Sequence, residues 1–236
     1  MGQSGGIIYN NAGGDSMKTL APPRHPARYT DVLLPVFAEL LQGSERILDP
    51  FGGTGKVFEL EALLPGAQIE AIEIEPEWAA MHPKTTLGNA LALPWPSAHF
   101  DAVVTSPTYG NRMADHHNAK DGSRRITYRH TLGRELHPHN AGSLQWGDGY
   151  RDFHAKAWTE ARRVLRPGGR FVLNIKDHIR RGHRQQVTAW HCEALQALGF
   201  VEVEHRRVDC PGQRFGQNGH ARIDYESVIL FELGAR

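Results

Sequence analysis

Apolar and polar positions alternate along this chain in short blocks whose period changes repeatedly. Leu33, Leu34, Phe37, Ala38, Leu40 and Leu41 recur at helical spacing, which predicts a helix across 31–41, with Pro35 in its first turn and Gly43 as its stop. Arg46-Ile47-Leu48 reads as a short strand, followed by a helix from about Lys56 to Leu64 that Pro65-Gly66 closes. Gln68–Glu73 predicts the next strand, Glu77–His82 a short helix, and Phe100–Thr105 a buried strand. Farther on come helix Phe153–Leu165, turn Arg166-Pro167-Gly168-Gly169, strand Arg170–Ile175 and helix Gln185–Leu198. Strands Phe200–Val208 and Ser227–Leu233 end the series. Short apolar strands alternating with helices predict an α/β fold with a doubly wound, mostly parallel sheet. Residues 110–150 interrupt the pattern: they are polar, rich in Gly, His and Arg, and predict a structureless insertion after the fourth strand. Residues 1–23, rich in Gly, Asn and Pro, predict a flexible tail and leave 24–236 as a single domain.

Composition narrows the function. A 236-residue chain with 40% hydrophobic and 22% charged residues has an ordinary globular balance. Its net charge of +1 means that any nucleic-acid binding must come from a local basic surface. Cys192 and Cys210 form no Cys-x-x-Cys pair, which excludes a disulfide framework and a cysteine-rich zinc site. The histidines, including His116-His117 and His137-Pro138-His139, show no ligand spacing and read as polar-surface or nucleic-acid-facing groups, so no metal is expected. No apolar run reaches membrane-spanning length and no leader pattern appears, so the expected setting is cytoplasmic, without a membrane partner.

The first strand runs into Asp49-Pro50-Phe51-Gly52-Gly53-Thr54-Gly55, a nucleotide-binding turn in which glycines permit close backbone approach. A phosphate-binding loop would need Gly where Pro50 stands and Ser or Thr where Val57 stands. A dinucleotide turn would need Gly at Phe58. An acid just before the turn suits a cationic amino-acid ligand. Glu73, about twenty residues beyond the glycines and followed by Ile74, lies where a carboxylate accepts both ribose hydroxyls. Asn89, followed by Ala90, reads either as an amide for an adenine edge or as a turn residue.

Ser106-Pro107-Thr108-Tyr109 closes the fourth strand, where open α/β sheets place ligands. Here the chain resembles the S-adenosylmethionine (SAM)-dependent DNA amino-methyltransferases, the N4-cytosine and N6-adenine methylases. Asp49–Gly55 is similar to their Asp-Pro-Phe-x-Gly-Ser/Thr-Gly motif, and Ser106–Tyr109 to their Asp/Asn/Ser-Pro-Pro-Tyr/Phe/Trp motif. His25-Pro26-Ala27-Arg28-Tyr29 resembles the segment that helps to hold the methionine end, which implies contacts from Arg28 and Tyr29. The resemblance covers about Arg24 to the C-terminus. It implies a Rossmann-like class I methyltransferase fold, SAM as cofactor with S-adenosylhomocysteine as product, DNA as partner and a place in restriction-modification.

The chemistry agrees with that implication. Ser106 and the Pro107 carbonyl can each accept one hydrogen of an amino group, turning its lone pair towards the methyl donor. Tyr109 offers a stacking surface for an extruded base, a role that needs the ring and not the hydroxyl. Methylation at cytosine C5 would need a cysteine nucleophile, and none lies near this motif. Thr108 departs from the pattern, where a second proline would stiffen the loop. Serine at the first position leans towards N4-cytosine over N6-adenine. In the insertion, Asn111, Arg112, Arg124, Arg125 and Arg129, interleaved with Tyr128 and Trp146, suit phosphate and base contacts. The Pro211–Asp224 loop is placed to join them. RNA is the alternative acceptor, and a module that binds SAM or nucleic acid without catalysis is the alternative class.

Overall fold

The computed structural model describes residues 30–111, 127–210 and 221–234. The predicted tail 1–23, Arg28, Tyr29, Arg112, Arg124 and Arg125 lie outside these residues, as do 211–220 of the late polar loop.

Helix α1 (Leu33–Leu40) leads into strand β1 (Arg46–Asp49), a 3₁₀ helix (Lys56–Ala62), β2 (Gln68–Glu73), α2 (Pro76–Ala79), β3 (Thr85–Leu87) and β4 (Phe100–Thr105). The insertion carries α3 (Tyr128–Leu132) and a 3₁₀ turn (Ala141–Ser143). Then follow α4 (Asp148–Val164), β5 (Leu165–Ile175), β6 (His178–Arg180), β7 (His183–Gln185), α5 (Val187–Ala197), β8 (Phe200–Asp209) and β9 (Tyr225–Leu233). The main sheet has the order β3-β2-β1-β4-β5-β9-β8. Its first five strands are parallel, and β9 runs antiparallel to both β5 and β8.

Period-two burial builds a core on each face of the sheet. Leu48 and Val103 pack with Trp158 of α4, Leu195 of α5 and Phe171. Their neighbours Ile47 and Ala102 point the other way, onto Phe37 of α1 and Leu60 of the 3₁₀ helix. The chain winds outward from β1 through β2 to β3, then returns to the other side of β1 with β4. The crevice of an open α/β sheet forms at such a reversal, beyond the strand ends. Here those ends are tied together: the Thr105 hydroxyl donates to Asp49 Oδ1 at 2.8 Å.

Several elements differ from the sequence reading. The helix after the glycine turn is a 3₁₀ helix ending at Ala62. Strand β3, implied by counting Phe100–Thr105 as the fourth strand but given no place, and the unexpected β6–β7 hairpin are three-residue strands with polar positions, which carry no period to read. Strand β5 begins at Leu165, which pairs with Phe100 before the register shifts; the expected turn 166–169 is an irregularity inside the strand. The insertion is structured over its described part, and α4 starts at Asp148 rather than Phe153. The cause is specific anchoring. Thr127 caps α3 by accepting from the His130 N–H at 3.3 Å. Tyr128 is buried, edge-on to Trp78 at 5.0 Å between ring centroids. Among the described residues, no helix is long and apolar enough to cross a membrane.

Candidate active site

The Asp49–Gly55 turn is shaped by backbone constraints. The Gly52 N–H donates to the Ile72 carbonyl at 2.9 Å, and a Cβ on Gly52 would lie 2.8 Å from the Ala71 Cβ, so only glycine fits. Gly55 has φ +82°, the left-handed region. Asp49 is buried, and its Oδ1 also accepts from the Phe51 N–H at 3.0 Å. It therefore braces the turn from behind. Phe51 packs edge-on against Trp158 at 5.9 Å, which fixes the turn on α4.

At the end of β2, Glu73 Oε2 accepts from the Gly53 N–H at 2.9 Å. Its Oε1 accepts from the N–H groups of Ile74 and Glu75, both at 2.8 Å. Burial raises the Glu73 pKa to about 7, although these three N–H donors oppose the rise. Oε2 accepts only one of these bonds, which leaves it a lone pair for a ligand hydroxyl. The Asn89 Oδ1 accepts from the Leu91 N–H at 2.9 Å, and its Nδ2 meets His139 Nδ1 at 3.0 Å. In this structure the amide thus serves the turn and the insertion.

Ser106–Tyr109 forms the opposite wall. Tyr109 Oη donates to Glu226 Oε2 at 3.0 Å and lies 2.9 Å from Ser106 Oγ. Asn174 Nδ2 reaches Ser106 Oγ and Tyr109 Oη, both at 3.1 Å, and Glu226 Oε2 at 2.5 Å. Burial, then the Glu226 charge, holds the Tyr109 phenol protonated, well above its ordinary range. The hydroxyl is therefore fully engaged, a role that the ring-only reading of Tyr109 leaves out.

A second network holds the backbone of the same loop. The Tyr150 hydroxyl donates to the Thr108 carbonyl at 2.6 Å and lies 2.8 Å from His191 Nε2. Trp158 Nε1–H donates to His191 Nδ1 at 3.0 Å. His191 must then carry its proton on Nε2 and donate to Tyr150. Burial keeps His191 neutral, with its pKa far below the usual value, and pushes neighbouring His154 down to about 4. These two histidines are core groups, not the surface groups that the sequence reading assigned. Proline at 108 is not needed to fix the loop from this side, since its carbonyl is already held.

Glu75, fully buried, ties the insertion down. Its Oε1 accepts from the His137 N–H at 2.9 Å and from Asn140 Nδ2 at 2.7 Å, and its Oε2 pairs with Arg134 at 2.7 Å. Tyr128, His139 and Asn140 thereby reach the cleft.

One cavity of about 310 Å³ joins these parts. Pro50, Phe51, Gly52, Gly53, Thr54, Glu73, Ile74, Asn89 and Ala90 line it on the cofactor side, and Ser106, Pro107, Thr108, Tyr109 and Asn111 on the other. Asp49 and Gly55 are not in its lining and act as supports. Arg129 pairs with Glu135 at 2.6 Å, away from the cavity. Asn174 and Glu226 line it without having been foreseen. A polar residue inside the apolar run Phe171–Ile175 was a readable signal for Asn174. Glu226 had none, because its place depends on the antiparallel pairing of β9 with β5.

No protein-family model and no curated protein matches the sequence. Solved structures are similar in fold. A SAM-dependent methyltransferase from Methanosarcina mazei aligns with a TM-score of 0.55 and 14% identity, over 86% of this chain and 98% of that one. TrmN from Thermus thermophilus aligns at 0.51 and 20% identity, over 84% of this chain and 48% of its own. Geranyl diphosphate methyltransferase, solved with geranyl diphosphate and sinefungin, aligns at 0.52 and 12% identity, over 84% and 76%. At these identities the likeness establishes the fold alone, a Rossmann-like α/β fold that these methyltransferases share.

Proposed function

We propose that this protein is a SAM-dependent methyltransferase acting on the exocyclic amino group of a base in DNA, N4 of cytosine favoured over N6 of adenine. The observation that carries the reading is that the glycine turn with Glu73 and the Ser106–Tyr109 loop face each other across one cavity. Its volume of about 310 Å³ falls in the range of small-molecule sites, roughly 300–1,000 Å³. Fold neighbours that are SAM-dependent methyltransferases support the cofactor class.

The residues present fit SAM. Gly52 and Gly53 allow close approach, the remaining lone pair of Glu73 Oε2 suits a ribose hydroxyl, and Ile74 and Ala90 supply apolar contact. When bound, SAM supplies an electrophilic methyl on a sulfonium. The chain's own groups orient the acceptor. Tyr109 gives its proton to Glu226, so Ser106 gives its proton to Tyr109 Oη and accepts from Asn174. One Ser106 lone pair is left for an amino hydrogen of the base. The Pro107 carbonyl is assigned the second hydrogen, and the Glu226 carboxylate offsets positive charge developing on the nitrogen.

The test is nucleoside mass spectrometry of DNA and RNA incubated with the protein and isotope-labelled SAM. The expected product is N4-methylcytosine in DNA. A product in RNA alone would move the reading to the RNA enzymes, and no labelled nucleoside in either would refute it.

A further inference from the structure

We propose that the β6–β7 hairpin is a phosphate-gripping arm at the rim of the catalytic cleft, reading the nucleic-acid backbone beside the extruded base. The inference rests on the nucleic-acid reading above but uses none of the insertion arginines assigned to it.

The hairpin segment Lys176–Arg184 holds Lys176, Arg180, Arg181 and Arg184 against a single acid, Asp177. That acid is buried and committed. Its Oδ2 accepts from Arg184 Nε at 2.7 Å, and its Oδ1 accepts from the Thr188 N–H at 2.7 Å. Arg180 bonds a neutral group, Gln145 Oε1, at 2.8 Å. Among the described residues, Lys176, Arg180 and Arg181 form no ion pair with a carboxylate. Arg180 and Arg181 on the ribbon and Lys176 just before it, with His178 and His183 beside them, form a local positive field in a chain whose net charge is only +1.

The backbone presents one of these cations on purpose-built geometry. Arg180 pairs with His183, so Arg181-Gly182 is a two-residue turn, and both residues have positive φ, +51° and +75°. That turn type favours Asn, Asp or Gly at its first position. An arginine there accepts backbone strain and places an exposed guanidinium at the tip.

Both arms are fastened to the catalytic wall. Gln145, held by Arg180, pairs with Asn111, two residues past Tyr109. Arg184 Nη2 donates to Tyr225 Oη at 3.1 Å, beside Glu226. The hairpin also begins at His178, three residues beyond Ile175, the neighbour of Asn174 at the end of β5. A base that enters this cleft remains attached to phosphates on either side, so those phosphates must pass the rim where the hairpin stands. A two-stranded ribbon with cations matches that target in shape and charge.

The test is fluorescence anisotropy with a duplex DNA oligonucleotide across a salt series, with an RNA strand as a parallel probe. The key variant is Arg181→Gly, because glycine suits the positive φ and leaves the hairpin at least as stable. We expect Arg181→Gly to keep the wild-type melting temperature, weaken DNA binding roughly three- to tenfold and make the log–log salt slope shallower by about one. Arg181→Lys should restore most binding, and Arg181→Glu should weaken it further. Wild-type affinity and slope in both Arg181→Gly and Arg181→Glu, with the wild type still methylating DNA, would overturn the arm and leave the enzymatic reading standing. If the wild type methylates no nucleic acid and binds neither probe, the reading itself fails. Salt-dependent binding to anionic lipid vesicles in place of DNA would assign the hairpin to a membrane surface and also overturn the proposal.

Discussion

Replacing Tyr109 by phenylalanine separates two roles that a stacking residue can have. If only the ring matters, Tyr109→Phe keeps full activity and only Tyr109→Ala loses it. The structure predicts otherwise. Tyr109 Oη donates to the Glu226 carboxylate at 3.0 Å, meets Ser106 Oγ at 2.9 Å and accepts from Asn174 at 3.1 Å. Its loss frees the Ser106 proton to turn elsewhere, including towards the amino group that Ser106 should accept from. A hydrogen bond to a charged group contributes about 1.5–3 kcal/mol. Tyr109 and Glu226 are only half-buried, so water replaces part of that interaction and the lower end applies. The expected cost is about 1.5 kcal/mol, roughly a tenfold slower methyl transfer. Tyr109→Ala should lose about 1–3 kcal/mol more as the stacking surface goes. The assay is single-turnover methylation with enzyme in excess, alongside melting curves that check folding. A cycle with Glu226→Gln should be strongly non-additive, because both changes break one interaction. Full single-turnover rate in Tyr109→Phe would refute the network and return Tyr109 to a ring-only role.

Two further outcomes follow from the buried groups. Burial places the Glu73 pKa at about 7, and a ribose hydroxyl donates to its ionised form, so SAM binding must expel a proton below pH 7. Affinity should fall roughly tenfold per pH unit below 7 and be flat above it, with proton release visible as buffer-dependent heat in calorimetry; a constant Kd from pH 5.5 to 8 would contradict this assignment. Tyr150→Phe strips the support from the Thr108 carbonyl and leaves the buried His191 N–H unpaired, at a cost of about 1–3 kcal/mol. We expect a melting temperature lower by roughly 2–10 °C and slower methyl transfer at unchanged SAM affinity; an unchanged melting temperature would argue against the relay.

The uneven legibility of this chain has a physical cause. Strands β1, β2, β4 and β9 each bury most of their apolar positions, and helices α4 and α5 bury one side, so period and composition reveal them. The glycine turn and the Ser106–Tyr109 loop are contiguous motifs, each readable where it stands. What escapes is whatever depends on two distant segments meeting. Asn174 is one polar residue within the apolar run Phe171–Ile175, and Glu226 one acid at the head of β9, until β5 and β9 pair and carry both to Ser106 and Tyr109. Glu75 looks like one more charge after β2, until burial requires partners and Arg134, His137 and Asn140 supply them from the insertion. That need for partners explains why the polar segment 127–147 is ordered without a hydrophobic period. Its order comes from satisfying a buried carboxylate and seating Tyr128 on Trp78, neither of which leaves a periodic trace. Buried polar networks of this kind fix geometry more sharply than apolar packing does, because each group left unpaired is costly. They converge here on the two loops that carry the motifs, which is where the proposed reaction, one that aims a lone pair at a methyl group, would most need rigidity.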